Sequence, residues 1–102
     1  QLHPNAATLK IEDEAMLPFY NKGDWVSGIK CYEDAILAIV NQLCIIELET
    51  GLFICRLLKL SERKKHYQLL CTNLYTDVAN STYLDTKITS AARIIWHRKE
   101  IK

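Results

Sequence analysis

Glycine and proline are scarce, three and two among 102 residues, which excludes collagen-like, linker-like and low-complexity architectures. Charge of one sign is missing as well. Thirteen Lys and Arg face 12 Asp and Glu, for a formal net charge of +1. No global field draws the chain onto nucleic acid or an anionic membrane, and a nucleic-acid role would need a local patch. Long apolar runs are absent. The stretch Ala35 to Val40 is typical and falls far short of the roughly 18 residues needed to span a bilayer, so no membrane partner is expected. Cys31, Cys44, Cys55 and Cys71 include no CxxC pair and no Cys–His spacing of the zinc-site kind. Three of them sit in apolar, strand-like runs, where a free thiol behaves as a small hydrophobe, and reduced thiols in a reducing compartment are expected.

What is present is ordinary globular material, with 49% hydrophobic and 25% charged residues. That suits one domain with one core across residues 1–102. The opening Gln1-Leu2-His3-Pro4-Asn5 has neither a basic leader nor an apolar segment, and the chain does not begin with Met. The expectation is a fragment of a longer cytoplasmic protein.

Short strands separated by turns dominate the pattern. Thr8 to Ile11 reads as a strand running into the acidic turn Glu12-Asp13-Glu14, and Asn21-Lys22-Gly23-Asp24 as a turn before the strand Trp25 to Ile29. Periodicity over six residues cannot separate strand from helix in Ala35 to Val40, but its context favours a strand. Leu43 to Leu48, the turn Glu49-Thr50-Gly51 and Leu52 to Leu60 form a hairpin. Ser61 to His66 is a polar tip, Tyr67 to Cys71 a further strand, Thr72 to Thr86 mostly loop, and Ile88 to Arg98 closes with a final strand. With no long 3.6-residue period, the expected class is mainly β, with a partly closed or coiled sheet.

Glu14-Ala15-Met16-Leu17-Pro18 followed by Gly23-Asp24 and an apolar strand resembles the opening motif of the LexA-like peptidase domain, the C-terminal half of LexA, UmuD and phage cI-type repressors. The family pattern is roughly Asp-Ser-Met-x-Pro, then Gly-Asp and a strand. Leu52 to Leu57, including Cys55-Arg56-Leu57, looks like its strand ending in Lys-Arg-Leu. Tyr67 to Asn73 looks like the following strand and Asn-containing turn, and Ile88 to Arg98 is similar to its terminal strand. The resemblance implies LexA/signal-peptidase-like coiled sheets with a partly closed barrel. It also implies a Ser nucleophile served by a neutral Lys. Here the Ser position is Ala15 and the Lys position Cys55, so both halves of the dyad are missing and the two residues are expected side by side.

Other chemistry is thinly supported. Cys55 or Cys71 with His66 or His97 would make a thiol hydrolase, yet no low-pKa environment is legible around either thiol. His3, His66 and His97 with Asp77 or Asp85 lack metal-ligand spacing, and neither metal nor cofactor is expected. Glu12, Asp13 and Glu14 alternate faces and read as a solvated turn. Arg56, Lys59, Arg63, Lys64, Lys65, Arg93, Arg98, Lys99 and Lys102 are the basic candidates for a nucleic-acid surface. Trp25, Phe53 and Trp96 read as core.

The expected function is therefore a non-catalytic oligomerisation and sensing domain of a prophage-repressor-like transcriptional regulator. DNA would be contacted only through an N-terminal domain outside the sequence, and a peptide or small ligand would occupy the former substrate groove. The resemblance implies a homodimer. Ile94, Ile95 and Trp96 run consecutively at what reads as an open strand edge, rimmed by Arg93, Arg98 and Lys99. The competing readings are an active peptidase or thiol hydrolase of the same fold, and a small β-barrel nucleic-acid-binding module.

Overall fold

The computed structural model describes residues 4–75 and 82–100. The chain runs β1 (Ala6–Lys10), β2 (Trp25–Cys31), a 3-10 helix (Glu33–Ile39), β3 (Leu43–Leu48), β4 (Phe53–Leu60), β5 (Tyr67–Leu70), β6 (Tyr83–Thr86) and β7 (Ile88–Arg98). The strands form one antiparallel sheet in the order β1-β2-β7-β3-β4-β5-β6. Among the described residues no helix is long and apolar enough to cross a membrane.

Burial on both faces explains the composition of the central strands. Cys44, Ile46 and Leu48 of β3 join Leu58, Tyr67, Leu69, Ala91 and the helix residues Ile36 and Ile39 in one core. Ile45, between them, turns to the opposite face and packs with Ala7, Ile11, Met16, Val26, Cys55 and Ala92. A strand covered on both sides reads as a continuous apolar run, as Leu43 to Leu48 does. Ala91 and Ala92 point to opposite cores and are fully buried. At Ser27/Gly28 the β2–β7 register slips by one residue, and Ile95 is the extra residue on β7. A Cβ on Gly28 would collide with the carbonyl oxygen of Arg93, so this close approach requires glycine.

The hairpin of β3 and β4 matches the expectation, with Gly51 at φ +94° and its N–H donating to Leu48 O over 2.9 Å. Ala35 to Val40 does not. The segment is a 3-10 helix because Ile36 and Ile39, three apart, meet the core together while Leu37 between them stays half exposed. Thr72 to Thr86 is also not all loop. Tyr83–Thr86 forms edge strand β6 against β5, and Asn80 and Ser81 lie outside the described residues.

Only Lys87 separates β6 from β7, so the chain passes from one edge of the sheet directly to its interior and the sheet must coil. It is not closed into a barrel, and the expected partial closure is corrected: β1 and β6 remain edges. β7 is likewise no edge strand. It pairs with β3 through Ile88–Arg93 and with β2 through Ala91–Arg98. Only its last residues, from Ile94 on, lack a partner on the β3 side among the described residues.

Candidate functional site

Between β1 and β2 the chain folds back on itself, held at its base by Ile11 N–H to Asp24 O and Gly23 N–H to Ile11 O, both 2.8 Å. Inside this loop Ala15 and Met16 are fully buried, whereas Glu14 and Pro18 are exposed. The amides of Thr72 and Asn73 both donate to Ala15 O over 3.0 Å. Asn73 Nδ2 donates to Glu14 O and Thr72 Oγ1 to Leu17 O, each over 2.9 Å. The motif residues and the turn after β5, more than fifty positions apart, are thus stitched together by backbone and side chain.

Asp13 links this loop to β4. Its Oδ1 accepts from Ala15 N over 3.0 Å and its Oδ2 lies 3.8 Å from Arg56 Nη2. Arg56 is buried and donates through Nη1 to Cys55 O over 2.7 Å. Asp13 is therefore no solvated turn residue; its role depends on Arg56 of a distant strand, which no local pattern in the sequence marks. Cys55 is 3% exposed and packs in the same core as Met16. Burial pushes its thiol up to about 12, against the lowering effect of the Arg56 charge. Cys44 is pushed up to about 12 in the same way. Both values favour the protonated thiol over the reactive thiolate at neutral pH.

A crevice of about 250 Å3 opens beside these groups. One wall is Leu9 to Asp13, at the end of edge strand β1, and the other is Leu52 to Arg56. β5 pairs only with Leu57 to Leu60 of β4, and among the described residues the first half of that strand has no ladder partner on this side. An extended segment lying there would meet backbone donors and acceptors on two strand edges.

Gly23-Asp24 has a structural task. Asp24, almost fully buried, accepts from Asn21 N and His97 Nε2 through Oδ2, each over 2.9 Å, and from Glu100 N through Oδ1 over 3.1 Å. Desolvation would raise its pKa, but these hydrogen bonds and the His97 charge together hold it below the ordinary value. The His97 ring packs edge-on against Tyr20 at 4.8 Å. Glu100 occupies the space a Gly23 side chain would take.

The remaining candidates disperse. His66 sits on the β4–β5 connection with Nδ1 2.9 Å from Lys64 O, which places its proton on Nδ1. Arg63 pairs with Asp85 at 3.4 Å, away from the buried Arg56. Lys64 and Lys65 stay on the exposed tip, while Arg93, Arg98 and Lys99 belong to β7 and its end. His3, Asp77 and Lys102 lie outside the described residues. Among the described residues no three His, Cys, Asp or Glu side chains converge as a metal site would require.

Ile94 is half-buried against the Val26 core, whereas Ile95 is 58% and Trp96 47% exposed. The reading of Trp96 as core is corrected: it is 47% exposed, and neither it nor its register partner Ser27 belongs to either core. Compared with protein-family models, with curated proteins and with solved structures, the chain finds no match.

Proposed function

We propose that this chain is a catalytically silent LexA-like domain, the oligomerisation and sensing part of a prophage-repressor-type regulator. It works in the cytoplasm, and its DNA contact is made by an N-terminal domain outside the sequence. The observation that carries the reading is the convergence of three sequence blocks: Thr72-Asn73 is hydrogen-bonded to Ala15 and Glu14, and Cys55-Arg56 reaches the same loop through the 3.8 Å ion pair of Arg56 with Asp13. They belong to three of the four blocks on which the family resemblance rests, and a coiled sheet of the LexA kind accounts for their meeting. A methyl group at Ala15 attacks no carbonyl, and a thiol near 12 at Cys55 is neither base nor nucleophile at neutral pH. The crevice between β1 and β4 suits an extended peptide held without cleavage.

The dimer uses the last residues of β7. Their unpaired backbone edge can receive the same segment of a second copy in antiparallel register about a two-fold axis, with Ile95 beside it. Ile94 faces the core, so Ile95 is the informative position to change.

The test restores the chemistry. Ala15→Ser combined with Cys55→Lys, checked for folding by circular dichroism, is expected to gain labelling by a fluorophosphonate at mildly alkaline pH, while the parent stays unlabelled and uncleaved. A folded double variant without labelling, or a parent that cuts itself, overturns the reading. Sedimentation equilibrium at micromolar concentration is expected to show a dimer that Ile95→Lys disrupts; a monomeric parent removes the dimer.

A further inference from the structure

We propose that the outer face of β1, β2 and the end of β7 binds single-stranded nucleic acid, stacking bases on Trp96 and Trp25 while Lys10, Arg93 and Arg98 hold phosphates. The strand register assembles this surface from distant parts of the chain. Lys10, Trp25 and Arg98 form one cross-strand row, Thr8, Ser27 and Trp96 the next, and Ala6, Ile29 and Arg93 the third. Directly paired residues share a face, as do residues two apart along a strand. The alternate positions Ala7, Val26 and Ala92 point into one core, so the three rows lie on the opposite face, where the other core begins beyond Arg93 at Cys44 and Ala91.

These nine residues include three cations and no carboxylate, a local excess that the net charge of +1 conceals. The Arg98 guanidinium lies 5.9 Å from the Trp96 ring, so a cation sits beside an exposed indole. Next to the first row, Lys10, Trp25, Arg98 and Lys99 surround a hollow of about 270 Å3, with Gly23 and Glu100 completing its lining.

The exposed indole of Trp96 and the half-buried one of Trp25, flanked by cations, are what an unpaired strand needs, because every base has a stacking face and every nucleotide a phosphate. A duplex keeps its base faces stacked on one another and offers the indoles nothing. A second copy seated face to face would set Lys10, Arg93 and Arg98 against the same three cations. The dimer proposed above uses the backbone edge of β7, and the two proposals stand independently.

The experiment titrates the full chain with oligothymidylate and with oligouridylate, each of about 12 nucleotides, and with a DNA duplex of equal length, following tryptophan fluorescence. Saturable quenching by a single strand is expected, weakening as salt rises. A preference for thymidylate assigns the surface to DNA and a preference for uridylate to RNA; either supports the proposal. Trp96→Ala is expected to weaken binding by about ten-fold or more, and Arg98→Glu to remove it at moderate salt. Absence of quenching by both strands, equal affinity for the duplex, or indifference to Trp96→Ala overturns the proposal. If no oligonucleotide binds while Trp96→Ala abolishes a dimer seen by sedimentation, this face is an interface between copies, and the nucleic-acid proposal falls while the dimer stands.

Discussion

Cys55 illustrates how a single environment decides chemistry. Its thiol is held near 12 by loss of water, as is that of Cys44, whereas Cys31 and Cys71 are only half-buried. Alkylation follows thiolate and access together. Brief iodoacetamide treatment of the folded chain at neutral pH, read by peptide mass spectrometry, is expected to label Cys31 and Cys71 well before Cys44 and Cys55, and denaturant is expected to abolish the difference. Asp24 gives the matching prediction for a carboxylate. Its pKa is lowered in the folded state, so the stability it contributes is fully present above the ordinary value of 3.8 and is lost as pH falls below it. Asp24→Asn is expected to cost about 1–3 kcal/mol at neutral pH. It should also flatten the acid limb of a plot of unfolding midpoint against pH. The motif Gly23-Asp24 was legible in the sequence; its partner His97, 73 positions away, was not, because no local pattern marks a contact made through the fold. Asp13 was misread for the same reason, its role depending on Arg56 of a distant strand.

At the scale of elements, legibility followed the strength of local signals. The β3–β4 hairpin was readable because Glu49-Thr50-Gly51 separates two apolar runs and Gly51 takes the positive φ that a tight turn demands. The segment Ala35 to Val40 was not. Six mostly apolar residues fit either period, and the choice was made by where Ile36 and Ile39 meet the core. Denaturant titration tests this assignment directly: Ile36→Ala is expected to cost about 2–5 kcal/mol. Leu37→Ala, at a position 50% exposed, is expected to stay within about 0.5 kcal/mol. In a strand buried on one face the side chains two apart would share a fate; here those three apart do. β6 escaped notice because Tyr83-Leu84-Asp85-Thr86 is short and polar, with only Tyr83 packed against the core. Its strand character comes from β5 beside it. Trp96 reads as core because large aromatics usually are, but strand registry places it beside Ser27, where it is 47% exposed.

The whole molecule is one sheet with a core on each side, and the two cores share β3 and β7 as their common wall. Opening either core exposes those strands, so the cores cannot separate without disturbing the pairing between them. Native-state hydrogen exchange is expected to find the slowest amides at Ile45, Ile46, Ala91 and Ala92 and faster ones in β1 and β6, which are paired on one side only. Comparable protection at the edges would mean that they are covered by something further, such as a second copy.

The place of β7 also governs the order in which the molecule can be made. A ribosome releases β1 and β2 first, then the β3 to β6 meander. Until residues 88–98 emerge, these two groups share no ladder pairing, because β7 is the strand between β2 and β3. The nascent chain therefore carries two bare strand edges, rich in Val26, Ile29, Ile45 and Ile46, until β7 has emerged. Contacts so distant in sequence form slowly, and unpaired edges of this kind invite pairing with neighbouring nascent chains.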